Sequence, residues 1–356
     1  MKTEKYSCAY RKMTIYRGAH SLVSIDLAKT VFQVCRFADD NSILSNKKVS
    51  RKKLRQEIAQ LSPTTVVMEA CYSAHYWGRT FEQYGHTVKL VPAQHVKPFV
   101  RGNKNDANDA VAIGEASMRP NMKFVRVKSV EQQDIQSLHR IRERFVSHRT
   151  RISNQTRGLL SEYGLIATTG FKALTALIHE ALESDVLTAL FKEELVSIYE
   201  ELLDLAERLK RVNGKLKAMA EQYPLCRLLM TIPGIGFINA TAIYAAIGDG
   251  KQFETARDFA VWMGLTPQQY ASGTRSFTGK ITKRGNRYLR KQLVHGARAL
   301  MNRTKGKKDK LSVWTNEIKE RRGVHKACVA LAHKLARIIW AVLTKGEEFK
   351  AQKVMA

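Results

Sequence analysis

The sequence contains no run of eighteen or more apolar residues. A helix that crosses a bilayer needs about 20, so no transmembrane helix is expected. The first twenty residues, Met1 to His20, are basic and lack the apolar stretch of a secretory signal. They read as a short charged arm, with Met13 as an alternative start. Cysteine is scarce: Cys8, Cys35, Cys71, Cys226 and Cys328 make an odd five, widely spaced, with no CxxC pair. That spacing excludes a disulfide framework and a cysteine-rich zinc site, and fits a reduced, cytoplasmic setting. Low-complexity segments and repeats longer than a heptad are also absent. Acids are the largest shortfall, with 32 Asp and Glu facing 60 Lys and Arg, a formal net charge of +28. An excess of that size calls for a polyanionic partner. No single basic amphipathic helix carries the charge, which favours nucleic acid over a membrane surface.

The chain has 356 residues, of which 44% are hydrophobic. That is enough for real cores, and at roughly 100–200 residues per domain it suggests two or three domains. Leu22-Val23-Ser24-Ile25 leads into Asp26, and Thr30 to Cys35 reads as a second strand. Lys48 to Leu61 is mixed and is expected to be helical. Thr64-Thr65-Val66-Val67-Met68 ends at Glu69 and suits a strand buried on both faces. His75 to Tyr84 reads as a helix with Gly85 as its C-cap, and His86 to Pro92 as another strand. This alternation predicts an α/β domain with a largely parallel sheet.

A long helical region follows. Leu138, Ile141, Phe145, His148, Ile152, Gln155 and Leu159 step by three and four. Leu195, Ile198, Leu202, Leu205, Leu209, Val212, Leu216 and Met219 form a cleaner heptad series. Such a pattern predicts coiled-coil packing, as an antiparallel hairpin within the chain or with another protomer, with His148 and Gln155 setting register. Arg140, Arg142, Arg144, Arg149, Arg151 and Arg157 form either a solvated face or a nucleic-acid track.

Beyond Pro224, Ile232-Pro233-Gly234-Ile235-Gly236 precedes a helical run through Ile247. This is the pattern of a helix-hairpin-helix, in which the amides of Gly234 and Gly236 approach a phosphate; a tight turn at a helix start is the alternative. The forty residues 271–310 hold thirteen Lys or Arg and one acid, Asp309. Val324 to Leu343 reads as a core helix.

Four acids carry the chemistry. Asp26 and Glu69 end apolar strands, and carboxylates at the ends of neighbouring parallel strands converge on one sheet edge. Asp106 and Asp109 share one face if their segment opens a helix. Taken singly, each is equally a turn, cap or dipole-complementing residue. Four together repel and raise one another's pKa values unless cations intervene. Mg²⁺, which prefers oxygen ligands, resolves that conflict. Two such ions roughly 4 Å apart stabilise both oxygens of a phosphodiester exchange.

Ser24-Ile25-Asp26-Leu27-Ala28-Lys29, Val67-Met68-Glu69-Ala70 and Lys104-Asn105-Asp106-Ala107-Asn108-Asp109-Ala110 together resemble the DEDD transposases of bacterial insertion sequences. Pro92 to Phe99, Glu131 to Ile135, Pro233 to Gly236, Ser272-Gly273 and Gly285 to Arg290 extend the likeness over nearly the whole chain. The resemblance implies an α/β RNase H-like (RuvC-like) domain, a long helical coiled-coil region, and a mainly α-helical C-terminal domain with a helix-hairpin-helix and a serine nucleophile. The boundaries expected are an arm at 1–20, the RuvC-like domain at 21–128, the coiled coil at 129–222, the transposase domain at 223–346 and a tail at 347–356. It further implies a structured guide RNA, the bridge RNA, pairing with donor and target DNA, and dimers of dimers with composite active sites. One departure is Lys280, where the pattern of Phe277 to Ile281 would have a second glycine.

On sequence alone Ser272 is a loop or capping serine; the resemblance makes it the nucleophile, with Ser276 its nearest rival. Arg275, Lys280, Lys283, Arg284, Arg287 and Arg290 are the cations expected to hold the scissile phosphate. The mechanism implied is attack by Ser272, a covalent phosphoserine link, and strand exchange, with Asp26, Glu69, Asp106 and Asp109 binding Mg²⁺. Two rivals are a metal-dependent junction resolvase or nuclease needing no serine, and a non-catalytic nucleic-acid-binding protein.

Overall fold

Four residues separate β1 (Leu22–Asp26) from β2 (Val31–Phe37), too few for the crossover of a dozen or more that parallel pairing needs. The two strands therefore pair antiparallel, as do β2 and β3 (Ile43–Ser50). The computed structural model describes residues 22–103 and 105–351. The expected arm at 1–20 with Met13 and Cys8, Lys104, and the end of the expected tail lie outside the described residues. The chain divides into two units, residues 1–129 and 130–356.

In the first unit, α1 (Arg51–Ala59) leads to β4 (Thr65–Glu69), and α2 (Ala74–Gln83) leads to β5 (Thr87–Val91). Helical crossovers make β1, β4 and β5 parallel, and the sheet order is β3-β2-β1-β4-β5. The expected largely parallel sheet is thus mixed. The expected helix over Lys48 to Leu61 also starts later, at Arg51, because its first residues finish β3. That strand is an exposed edge whose lysines guard against further pairing. Val66, Val67 and Met68 are fully buried, as expected for a strand covered on both faces. Val66 and Met68 meet Trp77, Phe81, Leu54 and Ile58, while Val67 faces the opposite layer with Phe37 and Ile113. Each such side chain contributes about 1.5–3 kcal/mol.

After α3 (Ala93–Val96) and a short turn of 3₁₀ helix comes α4 (Asp106–Ser117), capped by the Asn105 side chain, which accepts from Asn108 N at 2.8 Å. Ser24 Oγ on β1 donates to Ala110 O at 2.6 Å, and Asn46 Nδ2 on β3 donates to Ala107 O at 3.0 Å. Gly114 lets the helix lie directly on the sheet, since a Cβ there would come within 2.4 Å of the Phe37 ring.

In the second unit, α5 (Val130–Ser161) packs against α7 (Ala189–Gln222), with α6 (Phe171–Glu183) between them in sequence. The helices run antiparallel: Arg142 Nε donates to Asn213 Oδ1 at 2.7 Å, and His148 Nε2 lies 3.3 Å from Glu201 Oε1. Leu195, Leu202, Leu205, Leu209, Val212 and Leu216 are buried, as the heptads predict. On α5 the predicted phase drifts. Phe145 and Ile152 are buried as predicted, but Ile141, Gln155 and Leu159 are exposed, and Ile135, His139, Thr156 and Leu160 are buried in their stead. Polar residues belong to that stripe because they are satisfied locally; Thr156 Oγ1, for one, donates to Ile152 O at 2.9 Å.

The remainder comprises α8 (Pro224–Met230), α9 (Phe237–Ile247), α10 (Ala256–Trp262), a hairpin of β6 (Pro267–Ser272) and β7 (Arg275–Ile281), α11 (Arg287–Met301), α12 (Lys310–Arg322) and α13 (Val324–Lys345). Helix α13 is long and apolar enough to span a bilayer by composition. Its Leu331, Leu335 and Ile339 are instead fully buried in the core with Leu229, Phe259 and Leu293.

Candidate active site

Ile25 pairs with Met68, which sets Asp26 and Glu69 side by side at the carboxyl edge of two parallel strands. Asp106 and Asp109 occupy the first turn of α4, which Ser24 and Asn46 hold against that sheet. The acids interact. The Asp26 carboxyl is pushed up to about 6, by burial first and then by Asp109, Asp106 and Glu69. Cys71, two residues past Glu69, feels the same field; its thiol is pushed up to about 11, by burial and then by Glu69 and Asp26. The carboxylates are coupled but stand apart, as like charges do. Among the described residues no three acidic, His or Cys side chains lie close enough to share one ion. Lys48 Nζ lies 3.8 Å from Asp106 Oδ2, an exposed pair worth little. The donor set is entirely carboxylate oxygen, which suits a hard divalent cation.

The serine belongs to the second unit. Ser272 is the last residue of β6 and pairs with Arg275, the first of β7, across a two-residue turn. Gly273 takes φ +57° at the first turn position, the pattern of a tight II′ hairpin turn. The strands are exposed on both faces apart from partly buried positions at the base. The expected glycine-containing loop is therefore a hairpin tip. Directly paired residues share a face. Ser272, Arg275, Tyr270 and Phe277 lie on one face, whereas Ser276 and Ala271 lie on the other. Lys280 lies where the pairing register shifts, between Thr278 and Ile281, and the strand accommodates it there, where a second glycine was expected.

Six cations were expected around one phosphate, and the hairpin separates them. Only Arg275 is at the tip. Lys283, Arg284, Arg287 and Arg290 gather at the base, roughly 17 Å away at about 3.4 Å per residue. Arg290 Nη1 donates to Met263 O at 3.2 Å and so helps hold the base. The base is clasped by Gly264 (φ +68°) and Gly285 (φ +99°); a Cβ on Gly264 would lie 1.9 Å from Arg284 O, and one on Gly285 2.0 Å from Trp262 O. Gly285→Ala is expected to cost about 3 kcal/mol or more. It should also free the hairpin, read as faster proteolysis between residues 266 and 286.

The two glycines of the expected helix-hairpin-helix differ in setting. Gly234 (φ +86°) packs backbone to backbone on α11, with a Cβ 2.9 Å from Gly296 O, whereas Gly236 is exposed at the start of α9. Internal packing thus accounts for Gly234.

Sequence reading missed a buried network beside the hairpin. Thr241 Oγ1 donates to Phe237 O at 2.6 Å, so it accepts from His139 Nε2 at 2.9 Å, and His139 Nδ1 accepts from Tyr288 Oη at 2.8 Å. Tyr288 lies in the first turn of α11, directly beyond the clasp, and its amide donates to Asn286 Oδ1. A histidine on the apolar stripe of α5 was the available signal. Burial and then Arg142 hold His139 down to about 4. With the folded pKa below its ordinary value, the unfolded chain takes the proton first. Stability is then complete above about pH 6.5 and is lost as pH falls towards 4. Between pH 7 and 5 the loss should be about 2 kcal/mol. Hydrogen exchange in α5, α9 and α11 should show it, and His139→Gln should be less stable but flatter with pH.

A mixed five-stranded sheet with acids at its parallel edge is consistent with an RNase H-like fold, the class of domain that processes nucleic acids. The chain belongs to the transposase family described as IS116/IS110/IS902: residues 226–312 match that family's model, and residues 23–165 match the DEDD transposase model of IS110 type. It is 43% identical over 331 residues to the transposase for insertion sequence element IS1111A of Coxiella burnetii, covering 92% of this chain and 91% of that protein. It is 44% identical to a probable family 20 transposase of Pseudomonas aeruginosa, covering 91% and 97% respectively. With the transposase for insertion sequence element IS1328 of Yersinia enterocolitica it shares 37% identity, covering 92% and 98%. The protein is thus an insertion-sequence transposase that acts on DNA, of a DEDD class that is typically metal-dependent.

Proposed function

We propose that this transposase cleaves and exchanges DNA strands through a covalent phosphoserine at Ser272, directed by a structured guide RNA. The observation that carries the reading is a set of four carboxylates, Asp26 and Glu69 at one sheet edge and Asp106 and Asp109 in the first turn of α4, whose charges all bear on Asp26, in a chain of net charge +28. A purely binding protein gains nothing from such a cluster beside a polyanion. Asp26, Glu69, Asp106 and Asp109 would hold Mg²⁺, which supplies charge neutralisation at the reacting phosphate. Ser272 Oγ bonds to phosphorus, one deoxyribose oxygen leaves and takes up a proton, and Arg275 beside it offsets the phosphoryl charge. A hydroxyl from a second strand then displaces Ser272, so the phosphodiester count is conserved. Guide RNA pairing supplies sequence choice. Helices α5 and α7 form the coiled coil, dimers of dimers assemble composite sites, and the α8–α9 turn serves as a helix-hairpin-helix phosphate contact through Gly236. The protein acts in the cytoplasm, on chromosomal DNA.

The test is a denaturing gel of protein with insertion-junction DNA, target DNA and the flanking transcript, run with Mg²⁺, with EDTA and without RNA. An adduct that needs every component supports the reading. Cleaved DNA without adduct would instead mark a metal-dependent nuclease.

Binding should be steeply salt-dependent. If Arg275, Lys280, Lys283, Arg284, Arg287 and Arg290 each meet a phosphate, log K should fall against log salt with a slope of about −5. Each alanine substitution should flatten it by about 1, and a wild-type slope near zero removes the tract from the interface.

A further inference from the structure

The serine face of the hairpin carries two aromatic rings with no core to enter. Tyr270 and Phe277 stack with ring centroids 4.9 Å apart at 15°, yet Tyr270 is 46% and Phe277 64% exposed. The pair is held in place. Tyr270 Oη donates to Gln268 Oε1 at 2.7 Å, and Gly279 leaves room for the ring, since a Cβ there would sit 2.9 Å from Tyr270 Cε2. The opposite face pairs Gln269 with Thr278 and Ala271 with Ser276, and neither is an aromatic pair.

We propose that Tyr270 and Phe277 form a stacking platform for a DNA base drawn out beside the phosphate that Ser272 attacks. Two observations select that occupant. The rings lie one two-residue strand step, about 6.8 Å, from the Ser272–Arg275 pair on the same face. That is the span of two stacked nucleotides at about 3.4 Å each, or of one pulled out of the stack. Arg275 and Ser272 thus meet a phosphate while Phe277 meets a neighbouring base. The tip also carries Arg275, and the chain over residues 271–310 is strongly cationic, with thirteen Lys or Arg and one acid. An apolar partner protein would meet an unbalanced field there, whereas a nucleic-acid strand brings a π-face and negative charge together. A base held on the rings fixes the strand relative to the Ser272 hydroxyl, so both are positioning residues. The opposing explanation is that the pair only stabilises the hairpin, as cross-strand aromatics do.

The proposal rests on Ser272 being the nucleophile, and the test keeps the two apart. Full-length protein is assayed for adduct with insertion-junction DNA and flanking transcript, and the linked phosphate is located by sequencing. Abasic sites are then placed one and two nucleotides either side of it. Phe277→Leu should slow adduct formation about tenfold on intact DNA, and Phe277→Trp should not. At one abasic position wild type should be equally slow, and Phe277→Leu should add nothing further. Equal slowing of Phe277→Leu on intact and every abasic DNA would assign the rings to hairpin structure and overturn the platform. So would an undiminished Phe277→Leu rate. p-Benzoylphenylalanine at position 277 should cross-link to DNA within two nucleotides of the linked phosphate; capture of the transcript alone overturns the choice of DNA. Absence of any adduct with wild type removes the nucleophile reading, and the platform with it; an adduct indifferent to Phe277 removes only the platform.

Discussion

Ser272→Ala should abolish the covalent protein–DNA adduct, by at least about 10³-fold, while leaving DNA affinity within about twofold. The size follows from chemistry, because without the Oγ no phosphoserine can form and hydrolysis by water is a different reaction. The selectivity follows from position. Ser272 is exposed at a hairpin tip, where truncation to alanine moves stability by less than about 0.5 kcal/mol. The control is Ser276→Ala. Ser276 is the rival serine, two residues beyond the turn, but it points to the face opposite Arg275 and the aromatic pair. Its substitution should leave adduct formation intact. Adduct formation by Ser272→Ala at the wild-type rate would end the assignment, and loss with Ser276→Ala alone would transfer it. Arg275→Ala belongs to the same series. It should slow the reaction by about 10²-fold without abolishing it, as expected for loss of one charge-stabilising donor.

Legibility in the sequence tracked how strongly local chemistry and burial agree. The acid-bearing elements were readable because each has a clear physical signature. The Val66-Val67-Met68 run is apolar on both faces and stops at Glu69. Asp106 and Asp109, three residues apart, share a face once their segment opens a helix, and both lie in the first turn of α4. The heptads of α7 were equally plain because six of its inward positions are leucine or valine. The β6–β7 hairpin was not read as strands. Pro267 to Ser272 and Arg275 to Ile281 have no buried face, so the alternation that reveals a half-buried strand is missing. Without the hairpin, Lys283, Arg284, Arg287 and Arg290 read as neighbours of Ser272, from which two-strand geometry separates them. The α5 phase failed for a related reason. Its buried stripe includes His139, Ser153 and Thr156, which a count of apolar residues passes over. Sheet direction depended on loop length: the four residues between β1 and β2 forbid the parallel pairing that strand and helix alternation suggested.

Asp26→Asn should eliminate strand cleavage, by about 10³-fold or more, and at the same time stabilise the metal-free protein above pH 6. Both effects have one origin. In the folded chain the Asp26 carboxyl is pushed up to about 6 by burial and by Asp109, Asp106 and Glu69. Since its folded pKa exceeds its ordinary value, the folded form binds the proton more tightly between about pH 4 and 6. The stability this confers is present below that window, falls as pH rises through it, and is absent above it. After allowance for the partial exposure of Asp26, the cost of ionisation is about 1 kcal/mol. Asparagine keeps the shape and removes the charge, so the cost disappears with the oxygen anion that a divalent ion requires. Mg²⁺ should act on the wild type in the same direction. At ten times its dissociation constant it stabilises by about 1.4 kcal/mol, and below pH 6 the proton competes with it. Thermal unfolding from pH 4 to 8, with Mg²⁺ or EDTA, reads these effects beside the cleavage assay. The expected pattern is a wild type that Mg²⁺ stabilises chiefly above pH 6 and an Asp26→Asn protein that is indifferent to it. An Asp26→Asn protein that still cleaves DNA, or responds to Mg²⁺ as the wild type does, would show that the strained carboxylate is not what the metal is bound by.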